Sequence, residues 1–158
     1  MAVKVTDVTG PGVKKDPLYG DLLVAKFINC IMRDGKKTKA EKIFYSALKE
    51  VEKKIKDKSV LEVFKTAVNN VKPIVEVKSR RVGGANYQVP VKVLSARQQS
   101  LAIRWIMESV AKKKGKPTHV LLAAEICDAY NREGGAMSTR ENTHRMAEAN
   151  KAFAHFAW

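Results

Sequence analysis

The chain has 158 residues, 45% of them apolar, enough to bury a core without disulfide or metal staples. Thirty Lys and Arg against sixteen Asp and Glu give a net charge of +14, the electrostatic footprint of a protein that meets a polyanion. No run of eighteen apolar residues occurs, so no membrane-spanning helix is expected, and the first fifteen residues lack the apolar stretch of a secretory signal.

Residues 1–20 read as a flexible arm, broken by Gly10-Pro11-Gly12, Asp16-Pro17 and Gly20. From Asp21 the spacing of Leu23, Phe27 and Ile31 predicts a helix that stops at Asp34-Gly35. A second helix follows, with Ala40, Ile43, Phe44, Ala47, Leu48, Val51 and Ile55 on one face and Lys42, Lys49, Glu52 and Lys53 on the other. Ser59 and Glu62 have capping-box spacing at the start of a third helix. Its stripe is Leu61, Phe64, Ala67, Val68 and Val71, and Pro73 ends it. Between about 74 and 93 the period changes from helical to alternating. Val75 and Val77 alternate with polar residues, and Ala85, Tyr87, Val89, Val91 and Val93 share a face beyond Gly83-Gly84. This is a β-hairpin whose glycines supply the reversal. Pro90 cannot donate to a ladder, so its strand is an edge.

Ser95-x-x-Gln98 predicts the start of a fourth helix, apolar nearly all round (Leu101, Ala102, Ile103, Trp105, Ile106, Met107, Val110) and therefore central. A basic loop runs from Lys112 to Pro117. Thr118 is then expected to cap a helix through Tyr130, and Ser138-x-x-Glu141 to open the last one, running on to Phe156. The expected fold is mainly α, a bundle of about six helices with one projecting basic β-hairpin and a flexible N-terminal arm. The arm occupies 1–20, and a single helical domain occupies 21–158. Cys30 and Cys127 stand apart without metal-ligand spacing and read as two reduced, buried thiols.

The charge is zoned. Residues 26–58 carry net +6 and residues 76–116 net +8, whereas residues 117–136 carry net −2. Nothing in the chain matches a dinucleotide or P-loop glycine pattern, a zinc-protease helix or a nucleophile elbow. No enzyme, metal, cofactor or small-molecule substrate is therefore expected. His144 and Glu148 share a helix face, but no third ligand accompanies them. The cations fall into clusters suited to phosphate. They are Lys36 and Lys37; Lys78, Arg80, Arg81 and Lys92 on the hairpin; Arg97 and Arg104; and Lys112, Lys113, Lys114 and Lys116. Arg140, His144, Lys151 and His155 form a stripe on the last helix, with Arg145 beside it. Aromatic platforms are few, Tyr87 being the one on the hairpin, which favours folded RNA over a stacked single strand. Two other classes fit the residues less well. An architectural DNA-binding protein would carry an apolar wedge at the hairpin tip, which is absent. An RNA-modifying enzyme would need the active-site motifs already missing.

The run VEVKSRRVGGANYQVPVKV, with LVAKFINCIMRDGKKTKAEKI before it and THRMAEANKAFAHF after it, closely resembles the bacterial or organellar small-subunit ribosomal protein seven family. The match extends from about Asp16 to Trp158. It implies a non-enzymatic primary binder of 16S rRNA that nucleates the 3′ major domain, the head of the 30S subunit. It further implies E-site tRNA and mRNA nearby, small-subunit ribosomal proteins nine and eleven as neighbours, and a location on the cytoplasmic ribosome or an organellar one. Some members repress their own messenger, which the resemblance also carries here. Lys36, Lys37, Lys78, Arg80, Arg81, Arg140, His144, Arg145 and Lys151 become candidate rRNA contacts, with Arg80, Arg81, Gly83 and Gly84 towards tRNA. Some family cations are absent. The arm offers only Lys4, Lys14 and Lys15, the central helix opens with Ser95-Ala96-Arg97-Gln98-Gln99, Met137-Ser138-Thr139 precede the last helix, and the chain ends Phe156-Ala157-Trp158.

Overall fold

The computed structural model of the protein describes residues 14–156. The first thirteen residues of the expected arm, with Lys4, and the terminal Ala157 and Trp158 lie outside the described residues. Inside them, Asp16 is buried. Its Oδ2 accepts the Leu18 and Tyr19 N–H groups, and its Oδ1 accepts the Tyr45 hydroxyl at 2.7 Å. Desolvation and that carboxylate push the Tyr45 pKa up, so the hydroxyl stays a donor.

The elements run α1 Leu22–Ile31, α2 Lys37–Lys54, α3 Val60–Val71, β1 Val75–Val82, β2 Ala85–Lys92, α4 Ser95–Lys112, α5 Thr118–Tyr130, α6 Gly134–Ala149 and a 3₁₀ segment Lys151–Phe156. The fold is the mainly helical bundle with one hairpin that the alternating and helical periods predict. Phe27 of α1, Phe44 of α2 and Phe64 of α3 have no exposed surface and meet with ring centroids 5.2 to 5.4 Å apart. Aromatic rings at this separation gain contact energy beyond simple burial. The middle of the bundle is shared: α4 touches α1, α3, α5 and α6, and α5 touches α2, α3, α4 and α6. Small residues on α5 (Ala123, Ala129) permit this close packing around Leu122 and Ile126.

The helix ends differ from the capping-box expectations. Ser59 sits at the α3 N-cap without a side-chain bond. Leu94 and Pro117, not Ser95 and Thr118, hold the cap positions of α4 and α5. Gln98 reaches back to the Val93 carbonyl at 3.2 Å instead. Ser138 lies a turn inside α6 and donates to the Gly134 carbonyl. The reason α6 starts early is Glu125, which has no exposed surface. Its Oε1 accepts the Ala136 N–H at 2.9 Å, satisfying an open donor of the first turn that no side chain at the Glu133 cap reaches. Gly135 makes this approach possible, since a Cβ there would stand 2.4 Å from Ser109 Oγ on α4. At the other end, α6 stops at Ala149 instead of reaching Phe156. Asn150 donates its side chain to the Met146 carbonyl, and the chain tightens into the 3₁₀ segment.

Glu125 Oε2 also lies 2.6 Å from Lys113 Nζ, and Lys113 reaches Asp128 at 3.3 Å. One carboxylate thus ties the end of α4, the middle of α5 and the start of α6. Removing it leaves a buried N–H without its acceptor and leaves Lys113 only the more distant, part-exposed Asp128. Glu125→Ala is expected to cost ~2–4 kcal/mol. In thermal unfolding that is a midpoint lower by roughly 5–15 °C, and an unchanged midpoint would contradict this role.

Candidate nucleic-acid interface

The two basic loops that the sequence separates by some eighty residues meet at one end of the bundle. Arg33, Lys36 and Lys39 lie around the α1–α2 turn, where Asp34 and Gly35 both take positive φ. Arg104 on α4 and Lys113 and Lys116 after it line a groove of about 500 Å³. A second hollow of about 280 Å³ shares Ile31, Arg33, Met107 and Thr118 with the first, so the two are continuous. Six cations line this depression against Asp34 and Glu108. Arg33 and Lys39 were not singled out in the sequence. Their only local signal is proximity to Asp34-Gly35, and their convergence with Arg104 is a property of the packing. The exposed wall residue Cys30, expected buried, also opens here; a site late on α1 near the bundle rim does not close over its thiol.

The predicted cations divide by what they already hold. Lys112, Lys114 and Lys116 are exposed, but Lys113 turns inward to Glu125 and Asp128. Partial burial opposes its charge, yet the two carboxylates hold its pKa above the ordinary lysine value. Lys36 is exposed and 3.4 Å from Asp34, and Lys37 is exposed at the first position of α2. Arg97 and Lys78 both pair with Glu76, at 3.3 and 3.4 Å. Lys92 is exposed opposite Val75 at the hairpin base.

The hairpin register pairs Arg80 with Tyr87, Arg81 with Asn86 and Val82 with Ala85. Gly83 and Gly84 both have positive φ (56° and 89°), as a two-residue hairpin turn of matching twist requires. Successive strand residues face opposite ways, so Arg80 and Arg81 lie on opposite faces of the hairpin. Tyr87 is not an open platform. Its ring centroid lies 5.2 Å from Phe153 and 5.1 Å from Phe156, so the 3₁₀ segment covers that face of β2.

On α6, Arg140 and His144 are half-buried and Arg145 is exposed beside Asn142. Arg140 Nε is buried with no hydrogen-bond partner among the described residues. The change to 3₁₀ geometry after Asn150 breaks the predicted stripe, so Lys151 and His155 no longer continue the Arg140–His144 row. Lys151 lies 3.6 Å from Glu148. His144 Nε2 accepts the Ile74 N–H at 3.1 Å, which docks α6 against the hairpin base.

The fold and this surface define a class: a small helical protein with a braced hairpin and zoned, outward-facing cations, without a metal-ligating cluster among its described residues. Residues 4–151 match the family described as ribosomal protein S7p/S5e. Proteins named small ribosomal subunit protein uS7 are similar to it. That of Rhodopirellula baltica is 57% identical over 90% of this chain and 92% of its own. That of Thermotoga neapolitana is 58% identical over 92% and 94%, and that of Nitratiruptor sp. 54% over the same shares. The chain belongs to the ribosomal protein S7p/S5e family. It is a structural ribosomal protein of the small subunit and not an enzyme.

The His144 contact gives a pH dependence. Desolvation and then the Arg140 charge lower its pKa below the ordinary 6.5. The folded protein therefore favours the neutral ring that accepts the Ile74 N–H. This contribution is fully present above about pH 6.5 and is lost as pH falls towards the lowered folded value. Hydrogen exchange at the Ile74 amide, corrected for intrinsic rate, should lose protection over that window, and protection independent of pH would contradict the contact.

Proposed function

We propose that this chain binds 16S rRNA as a primary assembly protein, nucleating the 3′ major domain that becomes the head of the 30S subunit. Its groove and α6 cations meet rRNA phosphates, while the hairpin tip lies towards E-site tRNA and the mRNA exit path. The small-subunit ribosomal proteins nine and eleven are its neighbours, and its own messenger is a second RNA ligand. The observation that carries the reading is the convergence of Arg33, Lys36, Lys39, Arg104 and Lys116 on one groove. Phosphate tracking needs clustered cations on one surface, and loops remote in sequence are brought together to make it. Family membership supports RNA over DNA as the polyanion. So does a hairpin reversal made of two glycines, which carry no side chain to drive between stacked bases.

The test compares a multi-helix rRNA junction with duplex DNA of equal charge. The junction should bind far more tightly, with steep salt dependence, and equal affinity at matched salt contradicts the proposal. Arg33→Ala and Lys36→Ala should each lower the double-logarithmic salt slope by about 0.7–0.9. Lys113→Ala should leave the slope unchanged and lower the thermal midpoint instead, because its charge is held by Glu125 and Asp128.

A further inference from the structure

The cationic groove has a floor that phosphate does not need. Ile43 of α2, Met107 of α4 and Leu121 of α5 pack on the core, yet each keeps part of its surface open. They line the groove beside the nearly buried Ile31 of α1. The two hollows, of about 500 and 280 Å³, join at Ile31 and Met107. Arg33, Lys36 and Lys39 stand exposed along the smaller one, and Arg33, Arg104 and Lys116 along the larger. Only Asp34 and Glu108 oppose them there.

Backbone phosphates are satisfied by the rim alone, because their recognition is electrostatic. Unstacked bases settle on aromatic rings, and no residue lining either hollow is aromatic. Branched aliphatic and thioether groups instead receive leucine-like side chains, and the flexible methionine at the junction adapts to their shape. Two adjoining hollows suit apolar residues a turn apart, as when an amphipathic helix lies in a groove. The rim sets the rest of such a helix. Five exposed cations against two carboxylates call for glutamate and aspartate beside its apolar stripe. We propose that the groove also docks an acidic amphipathic helix of a partner protein, whose apolar stripe covers Ile43, Met107 and Leu121. This goes beyond the RNA-binding reading, and only the mutual exclusion of helix and rRNA rests on it. A chain of net charge +14 that is free of rRNA attracts any polyanion. A helix seated here neutralises the surface responsible.

The experiment uses the full chain and two peptides of about eighteen residues, identical in composition and charge. One places leucine at i, i+3, i+4 and i+7 with glutamate between, and the other scrambles that spacing. The first should bind at least about tenfold more tightly, the worth of burying one leucine side chain. With methyl-labelled methionine, the Met107 resonance should shift on adding the first peptide and not the second. Met107→Ser should bring the two affinities together, and Lys39→Glu should weaken both. The rRNA junction should displace the first peptide. Equal affinities on the unaltered chain, an unmoved Met107 methyl, or simultaneous binding of junction and peptide overturns the proposal. A junction that fails to bind while the peptide still docks would instead count against the rRNA reading alone.

Discussion

A single buried carboxylate ties together α4, α5 and α6. Glu125 has no contact with solvent, yet it accepts the Ala136 N–H and holds Lys113 at 2.6 Å. A buried charge is costly unless it is both paired and hydrogen-bonded, and Glu125 is both. The consequence is positional. The end of α4, the start of the Lys112–Lys116 loop and the first turn of α6 are fixed relative to α5 by one side chain. Lys116 of the loop is thereby presented beside Arg33 of the α1–α2 turn, and α6 is aimed so that His144 meets the hairpin base.

From that base outwards the hairpin depends on contacts that an isolated two-stranded ribbon would lack. Glu76 is buried and gathers Arg97 and Lys78, His144 takes the Ile74 N–H, and Phe153 and Phe156 cover Tyr87. The bracing reaches as far as the Arg80–Tyr87 pair. Beyond it remain only Arg81–Asn86, Val82–Ala85 and the two glycines. A rigid stem with a short free tip is the geometry expected of an arm that enters a crowded RNA environment without a large ordering cost. The asymmetry of its faces follows from the same covering segment.

Much of this was legible in the sequence where the determinant is local. The stripe of α2 is buried at Ala40, Phe44, Ala47, Leu48 and Val51, and the Gly-Gly turn sets the hairpin register residue for residue. Helix ends were less legible, because Ser95, Thr118 and Ser138 have the chemistry of caps but backbone context moved the boundaries past them. The start of α6 is set by Glu125, and no local pattern marks a cap supplied by another helix. Lys113 looks like its neighbours in the run Lys112–Lys116, and only the packing reveals that its charge is turned inward. Tyr87 and Phe153 are sixty-six positions apart, so their contact has no periodic trace. The groove joining Arg33 and Arg104 is invisible for the same reason.

The cationic surface should hold the chain in the small ribosomal subunit through RNA. Sedimentation of purified small subunits through high salt tests it most directly, with the chain followed by mass in each fraction. The chain should stay with the subunit after a wash that strips loosely bound basic proteins, and leave it when the rRNA is digested. Release of the chain by the wash, or its retention after the rRNA is gone, would contradict it.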